Sequence, residues 1–181
     1  MNKITLEQQK KKRWLFLLTA LLIFCAAASQ AAPIRTVTAT ITRISDGDTV
    51  QAITTEGTKL KVRLYGIDAP ETTKGKIQGE PFGNDSRNYL ASLVSQKIVR
   101  VEIRDIDRYR RMVAVLWLEG RNVNQEMIAS GMAEAYVEYL KQPYRTPFIQ
   151  AEQAAKDHGK GIWSQGSNYE RPSQFRRRMG I

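Results

Sequence analysis

The sequence predicts an α+β domain, mainly β, made of five short strands and three helices. Three observations carry this. Apolar and polar residues alternate in most of the strand segments, the period of a half-buried strand. Apolar residues recur at helical spacing in a segment between the third and fourth of these strands. Clusters of Gly, Asp, Thr and Pro separate the segments, as turns require. At 181 residues the chain is long enough for one domain with a sizeable core.

The elements follow in order. Val37, Ala39 and Ile41 alternate with threonines as the first strand. The "SDGDT" of residues 45–49 turns the chain, with Gly47 expected at a positive φ, and Val50 and Ala52 continue as the second strand. "TTEGT" (residues 54–58) reads as a hairpin turn. Leu60, Val62 and Leu64 form the third strand, and the opposite phase puts Arg63 on the face away from the leucines. After a Gly- and Lys-rich loop, Pro81 opens a helix whose apolar stripe is Phe82, Tyr89, Leu90, Leu93 and Val94. Val99, Val101 and Ile103 mark the fourth strand. Residues 112–118 are apolar nearly throughout, which suits a fifth strand covered on both faces. A short helix over residues 123–130 stops at Gly131. Thr146 and Pro147 give a cap-plus-N1 start for a third helix that ends at Gly159. Five strands with a helix after the third fit a closed Greek-key barrel of the OB type, although periodicity alone also admits another α+β meander.

The ends of the chain read differently. Lys10, Lys11, Lys12 and Arg13 precede an uncharged run of about 15 residues and then "AAASQAAP", the three regions of a secretory signal. Residues 1–31 are therefore expected to be removed, with the cut after Ala31; an uncleaved segment would instead anchor the protein in a membrane. Residues 36–165 form the expected domain. Residues 166–181 form a basic C-terminal tail, expected to be mobile as chain ends commonly are.

Charge and composition narrow the chemistry. The net charge is +10, and +6 remains once the five Lys/Arg and one Glu of residues 1–31 are gone. That balance suits an anionic partner, nucleic acid or anionic lipid. The single cysteine, Cys25, leaves with the signal, so no thiol nucleophile and no cysteine-based zinc site survive. One histidine, His158, excludes paired-histidine acid–base chemistry, and its place in the last turn of a helix reads as structural. Carboxylates and arginines are left, in three groups: Asp46 and Asp48; Arg63, Asp68 and Glu71; and "DRYRR" (residues 107–111). Hard oxygen ligands suit Ca²⁺ or Mg²⁺, and arginine forks suit phosphate. Together they describe phosphodiester cleavage.

The ordered set "DGDT" (46–49), "RLYGIDAPE" (63–71), "DRYRR" (107–111) and "GIWS" (161–164) resembles the staphylococcal (micrococcal) nuclease family, the thermonucleases, over roughly residues 38–164. The resemblance implies a five-stranded OB barrel with three helices. It implies that Asp48, Asp68 and the backbone carbonyl of Ala69 bind Ca²⁺, that Glu71 activates the attacking water, and that Arg63 and Arg111 contact phosphate. Tyr109 and Tyr139 match tyrosines near the nucleotide. The implied substrates are DNA and RNA, cut with little sequence preference to leave 3′-phosphate ends. No protein partner is implied and a monomer is expected; the secretory signal directs it to the periplasm or the medium, with a membrane involved only if that signal stays uncleaved. Ala69, Arg110 and Val137 depart from the family's threonine, glycine and tyrosine; the last removes one aromatic contact to the nucleotide. The alternative is a nucleic-acid-binding OB module without catalysis, as in family repeats that have lost the acids.

If the signal is cut as read, intact mass or N-terminal sequencing of the exported protein will place its first residue at Ala32; a species that keeps residues 14–28 and stays with membranes would establish the anchor instead.

Overall fold

A 12-residue first strand, β1 (Arg35–Asp46), sets the architecture because it serves two neighbours. Its first half pairs antiparallel with β5 (Ile98–Ile106), from Arg35 opposite Ile103 to Thr40 opposite Ile98. Its second half pairs antiparallel with β2 (Thr49–Thr54). Register shifts between Ile41 and Arg43 and between Ile44 and Asp46 bend the strand, as bulges do. β2 continues through a turn into β3 (Lys59–Leu64), and β5 into β6 (Met112–Leu118). β3 and β6 then pair parallel, with Arg63 opposite Val113. The cyclic order β3-β2-β1-β5-β6-β3 is a closed five-stranded barrel, the expected OB architecture. The computed structural model describes residues 32–181, so the signal segment, residues 1–31, lies outside the described residues. Among the described residues, no helix is long and apolar enough to cross a membrane.

The remaining elements cover the barrel. β4 (Ile67–Asp68) leaves β3 almost at once and pairs with β8 (Glu134–Ala135). β7 (Arg121–Asn122) folds back to pair antiparallel with the end of β6. The helices are α1 (Gly83–Val94), α2 (Val123–Ala129), α3 (Arg145–Asp157) and α4 (Pro172–Met179), with a 3₁₀ segment over Gly161–Asn168. Alternation fills the interior: Ile41, Val50, Val62, Leu64, Val101 and Leu116 are fully buried. Leu90 and Val94 from α1, Met127 and Ile128 from α2 and Phe148 from α3 close the core.

Four local expectations change. α3 begins at Arg145 with Tyr144 as its N-cap, so Thr146 and Pro147 lie inside its first turn and do not open it. Gly47 does not adopt a positive φ. Its role is space: a Cβ there would lie 2.8 Å from Ala69 Cβ and 1.9 Å from Ser86 Oγ, so the turn can pack against both only as glycine. α1 begins at Gly83, with Phe82 as its left-handed N-cap. A side chain at 83 would meet the Glu71 carbonyl oxygen at 2.2 Å, so this glycine lets the helix start abut the loop. The tail is not a loose chain end: residues 172–179 are helical, with Pro172 at the N-terminal position and Phe175 buried.

One buried side chain replaces a strand where β3 departs from β6. Asn124, at the start of α2, accepts from Leu116 N–H at 3.0 Å and donates to the carbonyls of Tyr65 and Ala114 at 2.9 and 3.1 Å. The Ala114 carbonyl has a second donor in Tyr65 N–H. Asn124→Ala therefore strands two buried groups, Leu116 N–H and the Tyr65 carbonyl. At about 1–3 kcal/mol for each such group, the variant is expected to lose roughly 2–6 kcal/mol of stability, read from urea unfolding.

Candidate active site

The sequence places its acids at two strand junctions, and barrel closure brings these together. Asp46 and Asp48 lie in the β1–β2 turn. Thr49, next in sequence, stands opposite Arg63 in the β2–β3 ladder. Leu64 N–H donates to the Asp48 carbonyl at 2.8 Å, which fixes the turn to the end of β3. Beyond Leu64 the chain turns through Gly66 into β4 and presents Asp68, Ala69 and Glu71. Ala69 N–H donates to Asp48 Oδ2 at 3.1 Å and Thr49 Oγ1 to Asp48 Oδ1 at 2.9 Å, joining both junctions.

Arg63 holds the centre. Val62 and Leu64 point into the barrel, and Arg63 takes the other face, as its phase predicts. Its Nη1 pairs with Asp48 Oδ2, and its Nη2 lies 2.8 Å from Asp68 Oδ1. Burial works against the Arg63 charge, but the Asp48 and Asp68 carboxylates outweigh it and raise its pKa above that of ordinary arginine. Asp68 itself is 0 % exposed.

Glu71 is set by a ring of partners outside this centre. Lys74 Nζ lies 2.6 Å from both Glu71 Oε2 and Asp46 Oδ2. Burial disfavours the Lys74 charge, yet its hydrogen bonds to the two acids keep its pKa raised. Asp46 Oδ1 accepts from Thr72 N–H at 3.1 Å and Thr72 Oγ1 at 2.9 Å. Glu80 Oε1 accepts from Glu71 N–H at 2.8 Å. Asp46 is therefore a brace for the loop.

A residue from the far end of the chain completes the cluster. Arg176 on α4 grips Asp68 with both amino groups, Nη1 to Oδ1 at 3.1 Å and Nη2 to Oδ2 at 2.8 Å, and Nη1 also reaches Glu71 Oε1 at 3.1 Å. Burial opposes its charge too, and the bonds to Asp68 and Glu71 prevail. Sequence reasoning missed Arg176, Lys74 and Glu80. The signal for α4 was present in Pro172, which could open a helix directly after Arg171.

The structure thus gathers Asp48, Arg63, Asp68, Ala69 and Glu71. It sets Arg111 apart, in the loop before β6: its Nε pairs with Asp107 at 2.6 Å and its backbone N–H bonds the same carboxylate. Burial works against the Asp107 charge, but the Arg111 N–H and guanidinium together outweigh it and hold the carboxyl below the usual carboxylate range. Arg111 enters β6 two residues before Val113, the partner of Arg63, so the loop stands beside the same strand pair. Tyr109 and Tyr139 are exposed, at 63 % and 62 %. The Arg111 guanidinium sits 5.4 Å from the Tyr109 ring, and Tyr136 packs on Tyr139 with centroids 5.0 Å apart.

The donor set suits a hard divalent ion. One guanidinium reaches both Asp48 and Asp68, so two buried carboxylates already converge on a shared positive charge. Among the described residues no three acidic, histidine or cysteine side chains form a metal cluster by themselves. Two buried carboxylates are oxygen donors of the kind that a hard divalent ion takes.

Glu80 gives the site a pH signature. Burial pushes its carboxyl up to about 7, with the nearby Glu71 and Asp68 charges adding to that effect. Between its ordinary pKa and about 7, the folded protein then keeps a proton that the unfolded chain has released, so stability falls as pH rises through this window. Glu80→Gln retains the acceptor for Glu71 N–H and cannot ionise. Its stability relative to the parent should rise between pH 5 and pH 8, measured by urea midpoints in chelator.

Comparison with known proteins gives the family. The family described as staphylococcal nuclease homologue matches residues 61–165. An "uncharacterized endonuclease" of Haemophilus influenzae is 38% identical over 165 residues, 91% of this chain and 86% of that protein. A "micrococcal nuclease" of Shigella flexneri is 33% identical over 76% of this chain and 79% of its own length. A "thermonuclease" of Staphylococcus hyicus is 30% identical over 68% and 74%. The match begins in the strand that carries Arg63 and ends within the 3₁₀ segment, just past "GIWS", and this chain belongs to the staphylococcal nuclease family.

Proposed function

We propose that the protein is a calcium-dependent nuclease that hydrolyses phosphodiester bonds in DNA and RNA with little sequence preference, acting as an exported monomer in the periplasm or the medium. The observation that carries this reading is the convergence of Asp48, Arg63, Asp68 and Glu71 on one end of the barrel. Relatives named as nucleases support it.

Asp48, Asp68 and the Ala69 carbonyl would hold Ca²⁺, which when bound supplies positive charge to offset that of the phosphate. Glu71 orients a water and accepts its proton as the oxygen bonds to phosphorus in line with the leaving group. The bond from phosphorus to the 5′-oxygen breaks, that oxygen takes a proton from solvent, and the phosphate stays on the 3′ side. Arg63 steadies the phosphate from the strand face, and its ion pairs with Asp48 and Asp68 pre-set its position. Arg111 grips the phosphate from its loop, exchanging Asp107 for a substrate oxygen. Tyr109 and Tyr139 offer exposed rings on which bases stack, a sequence-tolerant contact. Calcium-dependent release of acid-soluble nucleotides from DNA and from RNA tests the activity; binding without release would leave a non-catalytic OB module.

The two classes of acid should separate in mutants. Asp48→Ala removes a charge and a metal oxygen, so it should raise the calcium concentration needed for activity as well as slow turnover. Glu71→Gln keeps size and hydrogen bonding but accepts no proton. It should cut turnover by roughly 10²–10⁴-fold, the usual scale of general-base catalysis, with substrate binding little changed. Turnover and calcium titration of both variants, with circular dichroism for folding, decide it: near-parental turnover of folded Glu71→Gln at saturating calcium removes Glu71 as the base.

A further inference from the structure

Two carboxylates of the site are already fully engaged. Glu71 is assigned a proton to accept, yet both its oxygens are engaged, Oε2 by Lys74 and Oε1 by Arg176. Asp68 is assigned a metal, yet both its oxygens are gripped by the Arg176 fork and one by Arg63 as well. A guanidinium delivers one positive charge and two donors to the place where a divalent ion would bring two charges and its own water. The two cannot serve the same carboxylate oxygens together.

Arg176 belongs to an element able to leave. α4 has eight residues and contributes only Pro172 and Phe175 to buried surface. A helix this short has little stability of its own and depends on its contacts. Apart from Arg176, its ion pair to the rest of the protein among the described residues is that of its N-cap, Arg171 on Glu134 at 2.9 Å; Arg178 pairs at 2.6 Å with Glu170, just ahead of the helix, which ties the tail to itself and not to the barrel. Glu134 is the β8 partner of Asp68, so the helix is moored beside the very residue it covers. Between α4 and the site loop lies a cleft of about 170 Å³, bordered by Glu71, Lys74, Ile77, Phe175, Arg176 and Ile181. The helix therefore sits over the site without close packing along its whole length.

The geometry points to α4 as a built-in plug: Arg176 occupies the acidic pair in the resting protein, and calcium binding and α4 docking exclude each other. This rests on the calcium reading of the site. Linkage follows: a helix that competes with calcium weakens calcium binding, and calcium in turn loosens the helix by the same factor. Once released, the Arg176 guanidinium becomes a free cation beside a site for a polyanion, so the substrate also favours the open state.

Calorimetric calcium titration of the full-length protein without nucleic acid tests this, alongside Arg176→Gln and Phe175→Ala, which loosens the helix without touching the charges. Hydrogen exchange over residues 172–179 is followed with and without calcium. Both variants should bind calcium more tightly, by roughly 5- to 150-fold, the usual range of such coupling. Exchange in 172–179 of the parent should accelerate when calcium is added. Equal calcium affinity in all three proteins, with α4 equally protected in both conditions, overturns the plug and leaves the metal site standing. Slower turnover in Arg176→Gln at unchanged calcium affinity also overturns it and makes Arg176 a phosphate contact. Absence of calcium binding in every protein, Arg176→Gln included, overturns the metal reading and the plug with it.

Discussion

The Arg63 guanidinium is the charge on which the rest of the site depends. Asp48 and Asp68 are buried carboxylates from two different strand junctions, and a buried charge without a partner costs several kcal/mol. Arg63 compensates both at once and so makes their approach possible. It does this from a strand whose alternate residues, Val62 and Leu64, are fully buried in the barrel. One six-residue strand therefore supplies core on one face and the electrostatic centre on the other. Its pairing to β2 on one side and β6 on the other means that barrel closure itself fixes the site.

The parts of the molecule legible in the sequence are those governed by period. Alternation located four of the barrel strands and the face on which Arg63 stands, and a continuous apolar run located the fifth. A helical stripe located α1 and its buried Leu90 and Val94. Gly47 shows where this reasoning stops. A glycine in an Asp-Gly-Asp turn reads as a positive-φ residue, but here it is needed because Ala69 and Ser86, distant in sequence, press on the turn. Local pattern carries no information on such close approach. Asn124 is similar: a polar residue in a short helix has no periodic mark to show that it completes the edge left by β3.

α4 was illegible for a related reason. Its composition is that of a solvated chain end, with three arginines in a row. What holds it is complementarity to acids brought together from two distant stretches: Asp68 and Glu71 in one, Glu134 in the other. A basic tail reads as free when its partners are not yet assembled. The site residues inferred from motif order met the opposite case, since Asp48, Arg63, Asp68 and Glu71 do converge, while Arg111 rests on Asp107 in its own loop.

The balance of charge in the cluster explains why cations crowd it. Asp46, Asp48, Asp68, Glu71 and Glu80 lie within one bonded network, faced by Arg63, Lys74 and Arg176. Carboxylates outnumber cations even with α4 docked, and Glu80 eases this by holding its proton up to about pH 7. A nucleic acid brings further negative charge to this place. Its approach is favourable only if positive charge arrives or is already there, because like charges in a partly buried site are poorly screened. The overall basic balance of the chain steers a polyanion from a distance, but it cannot neutralise carboxylates that are bonded inside a pocket. A small mobile ion can enter where a fixed side chain cannot follow the reacting phosphate. An arginine on a short terminal helix satisfies the acids at rest, and that same guanidinium is the one cationic group in the network whose backbone is not part of the barrel or its site loop.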